Sequence, residues 1–371
     1  MSSPYDAAVS GRNRQAAEKL LLVAKQLGKE EDAVIAQLQV AYSWRWEAEH
    51  SKAEEAALTA MKLAKESKVL DANLASLIAL GKVMLSADKE ERARDYIDKA
   101  LVLSKAKAAR KWEALSLSAM AEVELASGDF ECALRYLDKA KGIVSPLGDQ
   151  PGQEARLALV MADLFIHKGK LVEAQRCAQT ASKLASTSSA LVALQAETLC
   201  KEARCHLLLG ETQEAQYKAR EALELARDLT EHDRWQVEAM GVWMQAQLAE
   251  GKPKQARDTC REILELFEDF NVSVNVRAEW SLTLATILRD LAEYEEMHRY
   301  ARHVLSTLQP TDKELQRRAA AMAQDAGNLD LAETIWTLAQ ASFQHGHQRE
   351  GVQVLPNYDL ILQKQYQEVL Q

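Results

Sequence analysis

The chain has 371 residues, 47% of them hydrophobic but only 6% aromatic, with 14 Gly and 6 Pro. Strand-rich folds need more β-branched, aromatic and turn residues, so a sequence dominated by Ala, Leu, Glu, Lys, Arg and Gln belongs to the all-α class. Its 46 Lys+Arg against 55 Asp+Glu leave a formal net charge of −9, which makes nucleic acid an unlikely partner.

Residues 1–10 are expected to be disordered, and MSSPYDAAVSGRNR lacks the charged-then-apolar pattern of a signal peptide. A helix is predicted over Gln15 to Gln26, followed by a helix that carries YSWRW, with Tyr42 and Trp46 four apart on one face and Arg45 beside them. From there a repeat runs along residues 11–343. GDFECALRYLDKA from Gly128, GKLVEAQRCAQTA from Gly169, GETQEAQYKAREA from Gly210 and GKPKQARDTCREI from Gly251 start 41 residues apart. The same frame reaches back to Asp88, Ala48 and Gly11 and forward to Ala292 and Gly327, nine copies in all.

Three columns of small residues accompany the frame. Seven residues before the glycine position stand Ala41, Gly81, Ala121, Ala162, Ala203, Ala285 and Ala320; five after it stand Ala16, Ala53, Ala93, Ala133, Ala174, Ala215, Ala256 and Ala332; twelve after it stand Ala60, Ala100, Ala140, Ala181, Ala222 and Ala339. Met244 and Met297 interrupt them. Small side chains at fixed points on two antiparallel helices set a constant packing distance. The glycine permits a left-handed helix cap between them. Each unit is therefore an αα-hairpin that must stack on its neighbours to bury its apolar face.

Beyond the repeats, residues 344–371 are read as a loop and a capping helix, LPNYDLILQKQYQEVLQ, with Leu360, Ile361, Leu362, Tyr366, Val369 and Leu370 on its apolar side. No apolar run approaches the roughly 18 residues of a membrane-spanning helix. The five cysteines, Cys132, Cys177, Cys200, Cys205 and Cys260, never form C-x-x-C, and free thiols in a reducing, cytoplasmic setting are expected. FNVSVNV from Phe270 to Val276, the most strand-like stretch, is read as a longer loop between repeats. The run Lys105 to Lys111 is read as a solvated turn between units. H-E-x-x-H, P-loop, G-x-S-x-G and dinucleotide patterns are all missing, so neither catalysis nor a cofactor nor a metal is expected.

The small residue in the first helix, the Gly at the turn and the two alanines seven apart in the second helix resemble the tetratricopeptide repeat signature, in an extended form of about 41 residues. Repeats of this length are similar to those of kinesin light chains, spindle-orientation adaptors and bacterial peptide-sensing regulators. The family's early large aromatic and its closing proline are mostly missing. The resemblance implies a right-handed α-solenoid of about nine stacked hairpins, TPR-like, whose first helices line a concave face that holds a segment of another protein. The implied function is that of an interaction scaffold or adaptor, or else of a ligand- or peptide-sensing module controlling an effector, in either case a subunit of a complex.

Under that resemblance, ligand-facing positions recur once per unit. Six residues before the glycine position stand Tyr42, Lys82, Glu122, Asp163, Arg204, Gln245 and Thr286. Thirteen before it, Glu197, Glu238, Glu279 and Glu314 form a carboxylate row that would attract a basic segment, although Glu is also favoured near helix starts by the helix dipole. Tyr42, Arg45 and Trp46 are the residue types that dominate binding hot spots. Packing against the N-terminal helix is the competing account for the two aromatics.

Overall fold

The computed structural model describes residues 14–148, 150–229, 233–270, 272–307 and 313–325. Sixteen α-helices follow one another: α1 Arg14–Gln26, α2 Glu30–Trp46, α3 His50–Ser67, α4 Leu70–Ser86, α5 Glu90–Ala106, α6 Arg110–Ala126, α7 Phe130–Val144, α8 Pro151–His167, α9 Leu171–Ala185, α10 Val192–Leu208, α11 Thr212–Arg227, α12 Asp233–Ala249, α13 Pro253–Phe270, α14 Val274–Asp290, α15 Tyr294–Thr307 and α16 Lys313–Asp325. Two single 3₁₀ turns, Ser145–Leu147 and Ser189–Leu191, lie in the connections. There is no strand among the described residues. Seven complete hairpins, α2/α3 to α14/α15, are flanked by the second helix of one further unit and the first helix of another.

The frame position is the helix-terminating residue. Ala48, Asp88, Gly128, Gly169, Gly210, Gly251 and Ala292 all have positive φ, between 55° and 79°. At each, two backbone bonds cap the first helix; at Gly128 they run from its own N–H to Leu125 O (3.1 Å) and from Asp129 N–H to Glu124 O (2.9 Å). This Schellman arrangement satisfies carbonyls that a helix end leaves orphaned. The connections at Gly28 and Ala108 reuse it between hairpins, and Lys68 also has positive φ. First helices start 40 residues apart up to Arg110 and 41 apart from Pro151 to Val274, because the connections before Pro151, Val192 and Asp233 are longer and α13 is one residue longer than α5.

The alanine columns form the hairpin contacts, except that Ala16 and Ala320 at the outer copies are only half-buried while their neighbours Ala17 and Ala319 take the buried places. Ala41, Ala121, Ala162, Ala203 and Ala285 are fully buried, as are Ala53, Ala93, Ala133, Ala174, Ala215 and Ala256, and Ala60, Ala100, Ala140, Ala181 and Ala222; Met244 and Met297 are buried as well. Gly11, Gly327, Ala332, Ala339, the disordered stretch expected at 1–10 and the loop and capping helix expected at 344–371 lie outside the described residues. The stretch from Phe270 to Val276 is not a long loop: α13 runs to Phe270 and α14 begins at Val274, with the Ser273 side chain accepting from Val276 N–H at 3.5 Å. Serine is among the preferred N-cap residues and competes well with the strand preference of the valines.

Successive first helices also touch one another, α2 with α4, α4 with α6, α6 with α8, α8 with α10, α10 with α12 and α14 with α16. First helices therefore form the inner layer and second helices the outer one, the geometry of a curved stack. Inner helices are buried on nearly every side; α2 alone buries Ala33, Val34, Ala36, Gln37, Leu38, Gln39, Val40, Ala41, Tyr42 and Ser43.

Candidate functional site

The inner strip is built from positions six, nine and thirteen residues before each turn, which share one helix face at i, i+4 and i+7. Its side chains pair between neighbouring first helices and, at Glu238, within one. Lys82 Nζ of α4 donates to Glu122 Oε1 of α6 at 2.7 Å, and Lys201 Nζ of α10 donates to Asp163 Oδ1 of α8 at 2.5 Å. Arg234 Nε of α12 bonds Glu238 Oε1 at 2.7 Å, and Arg318 of α16 bonds Glu279 Oε2 of α14 at 2.7 Å. Burial pulls the Arg234 guanidinium down, but the carboxylates of Glu238 and Glu197 more than offset it and hold it above its ordinary value. Arg234 thus lies between two members of the acidic row.

Glu197, Glu238 and Glu279 occupy the second turn of α10, α12 and α14, beyond the first turn where the helix dipole acts most strongly. Glu314 is on α16, its side chain outside the described residues. Arg204 and Gln245 are exposed and make no hydrogen bond or ion pair among the described residues. Thr286 returns its hydroxyl to Leu282 O at 2.9 Å.

Tyr42 is 7% exposed, and its phenol is pushed up to about 12 by burial, with Arg45 lowering it, Glu122 raising it and Arg156 lowering it. Its electrostatic neighbours come from α6 and α8 as well as α2, so Tyr42 sits within the inner layer. Arg45 is half-buried, and its Nε has no hydrogen-bond partner. Trp46 is half-buried against a cluster made by Leu199, Cys200, Met240, Phe267 and Val272 with Val276 and Trp280, far along the chain. It is Trp44 that faces α1, with the Arg14 guanidinium 4.1 Å and the Lys52 ammonium 4.5 Å from its ring centre.

Lys201, Arg234 and Arg318, the partners of the inner carboxylates, were not singled out from the sequence. Their only signal was a position three or four residues from an inner carboxylate column. Burial holds the Cys200 thiol well above its usual range and pushes Cys205 up to about 11 and Cys260 up to about 12, so all three remain protonated at neutral pH. Glu124, Asp129 and Cys132 come within reach of one ion, but Arg94 already holds Glu124 with two bonds and Asp129 caps α7 through Cys132 N–H. A shallow groove of about 520 Å³ lined by Thr212, Gln216, Tyr217, Arg220, Glu250 and Lys252 lies at the edge of α11 and the α12–α13 turn, away from the inner strip.

No protein-family model and no curated protein matches the sequence. Solved structures match the fold. The quorum sensor NprR from B. thuringiensis, in its apo form, is 17% identical with a TM-score of 0.52, over 80% of this chain and 83% of that one. A Rap protein complexed with Competence and Sporulation Factor is 14% identical with a TM-score of 0.52, over 85% of this chain and 88% of that one. A Signal Transduction ATPase with Numerous Domains with a tetratricopeptide repeat sensor, from Pyrococcus horikoshii, is 12% identical with a TM-score of 0.57, over 96% of this chain and 55% of that one. The fold is a tetratricopeptide-like α-solenoid. No described helix is long and apolar enough to cross a membrane.

Proposed function

We propose that this chain is a non-catalytic interaction scaffold that holds a segment of another protein against its inner face, as a subunit of a larger assembly. The inner strip carries the proposal. Arg204 and Gln245 stand exposed on it with unused hydrogen-bonding capacity, beside a carboxylate row at Glu197, Glu238, Glu279 and Glu314. A basic segment would compete with Arg234 and Arg318 for those carboxylates, exchanging one ion pair for another at small net cost. A photo-crosslinking residue at Arg204 or Gln245 should capture the partner, while one at exposed Lys139 on the outer helix α7 should not. Equal capture at all three positions would reject the inner face. Changing the four glutamates to Gln should weaken a basic partner at low salt and leave the melting temperature close to that of the parent.

A second reading is favoured by the structural neighbours, which include a quorum sensor, a complex with Competence and Sporulation Factor and a tetratricopeptide repeat sensor. In it the ligand changes the curvature of the stack and so controls an effector. A sensor changes its radius of gyration on adding ligand, whereas a passive scaffold keeps it. Small-angle scattering with and without the captured segment separates the two.

A further inference from the structure

Two turns that are 226 residues apart meet. Ser273 N–H donates to Glu47 Oε2 at 2.9 Å, and the Ser273 hydroxyl donates to Glu47 O at 2.9 Å. Arg14 Nε donates to the other carboxylate oxygen of Glu47 at 3.2 Å, and Glu47 is only 4% exposed. Trp46 beside it packs against the cluster that contains Val272, the neighbour of Ser273. Glu47 closes the first complete hairpin's turn and Ser273 opens the seventh hairpin, so the contact joins the two ends of one turn of the superhelix.

The contact is not another stacking interface. At the two positions before the turn residue the other units carry Ser86-Ala87, Ala126-Ser127, His167-Lys168, Leu208-Leu209, Ala249-Glu250 and Asp290-Leu291, and none pairs a large aromatic with a carboxylate as Trp46-Glu47 does. Glu250, the one other carboxylate in that column, is paired locally with Lys252 at 2.7 Å. Burial pushes the Glu47 carboxyl up, against the opposing pull of Arg14 and the Ser273 N–H. Closure therefore costs desolvation of a charge that opening would return to water. Tyr42, one turn earlier on α2, is buried and feels the charges of Glu122 on α6 and Arg156 on α8, and Cys200 is buried in the cluster on which Trp46 rests.

We propose that Trp46, Glu47 and Ser273 form a clasp that closes the superhelix, and that a segment reaches the inner face around Tyr42 and Cys200 only when the clasp parts. This rests on the inner face being the binding surface, but its test needs no ligand and so fails or succeeds independently of that reading. The probe is iodoacetamide, with the alkylation rate of Cys200 read by peptide mass spectrometry on the full chain. Glu47→Gln and Ser273→Ala should each speed Cys200 alkylation by about ten-fold, because the rate follows the open population, and should raise the radius of gyration with helical circular dichroism unchanged. Glu47→Cys combined with Ser273→Cys should form a disulfide that slows alkylation below the parent rate, with the parent rate or faster restored after reduction. Parent-like alkylation and scattering in the single variants and in the cross-linked pair would overturn the clasp. Failure of the pair to cross-link would do the same, since the two turns would then not meet in solution. If a single variant unfolds, the cross-linked pair decides.

Discussion

Gly81 occupies a column filled by alanine in every other unit except at Met244, and the reason is visible at one side chain. A Cβ added there would lie 2.4 Å from Ile97 Cγ1 and 2.8 Å from Ile97 Cδ1, and Ile97 is fully buried with nowhere to swing. Ala would gain about 0.5–1 kcal/mol of helix preference over Gly, but overpacking a filled core costs about 1–3 kcal/mol. Gly81→Ala is therefore expected to destabilise in urea unfolding. Adding Ile97→Ala should cost less than the two changes separately, since one removes the obstacle to the other. Tyr42 makes a pH-dependent prediction. Its phenol rises from 10.0 to about 12 in the folded chain, so the folded form holds the proton more tightly than the unfolded form does. The stabilisation is fully present below pH 10 and is lost as pH rises through about 12. Tyr42→Phe should flatten that alkaline loss relative to the parent, as read from paired unfolding curves at pH 8 and pH 11. Equal slopes for the two proteins would place Tyr42 in water.

At the scale of helices and turns, the repeat is held by backbone geometry more than by side-chain caps. Lys68 adopts φ 58°, ψ 12°, a left-handed conformation at the end of α3. An L-residue pays about 1–2 kcal/mol there, while glycine's extra unfolded-state freedom costs about 0.5–1 kcal/mol. Lys68→Gly should accordingly stabilise the protein by up to about 1 kcal/mol. Gly210→Ala, at φ 79°, should destabilise by a similar amount. Thermal melts of both variants check the pair of signs, and a shift of both in one direction would contradict the turn assignment. Val272 and Ser273 belong to the same scale. Val272 is buried in the cluster that also receives Trp46, and Ser273 caps α14 while bonding Glu47, so these two residues pack, cap and make a long-range contact.

For the whole molecule, the inner charges act between units. Lys82 and Glu122, and Lys201 and Asp163, link neighbouring first helices, each side chain partly exposed. Such a pair is worth up to about 1 kcal/mol, too little to create the stack and enough to bias the angle between units. Lys82→Glu places two carboxylates side by side on α4 and α6 and should lower the melting temperature by a few degrees. Adding Glu122→Lys should recover most of the loss, and the interaction energy from that double-mutant cycle should shrink at high salt. A cycle with zero coupling would make the pair incidental.

The hairpins, their turn positions and their buried alanines were legible in the sequence because each depends on features a few residues apart: helical period, side-chain size and the left-handed turn. Ala48, Asp88 and Ala292 took their places by spacing alone, although none is glycine. Tyr42 and Trp46 were singled out as one aromatic face, but not what they pack against. Which cation answers Glu238 or Glu279, and that Trp46-Glu47 meets Val272-Ser273, are properties of the tertiary structure. The small rotation between successive hairpins is set by packing detail at every interface and accumulates along the stack. A repeat frame fixes the period but not that rotation, so only the folded stack decides which distant turns come together.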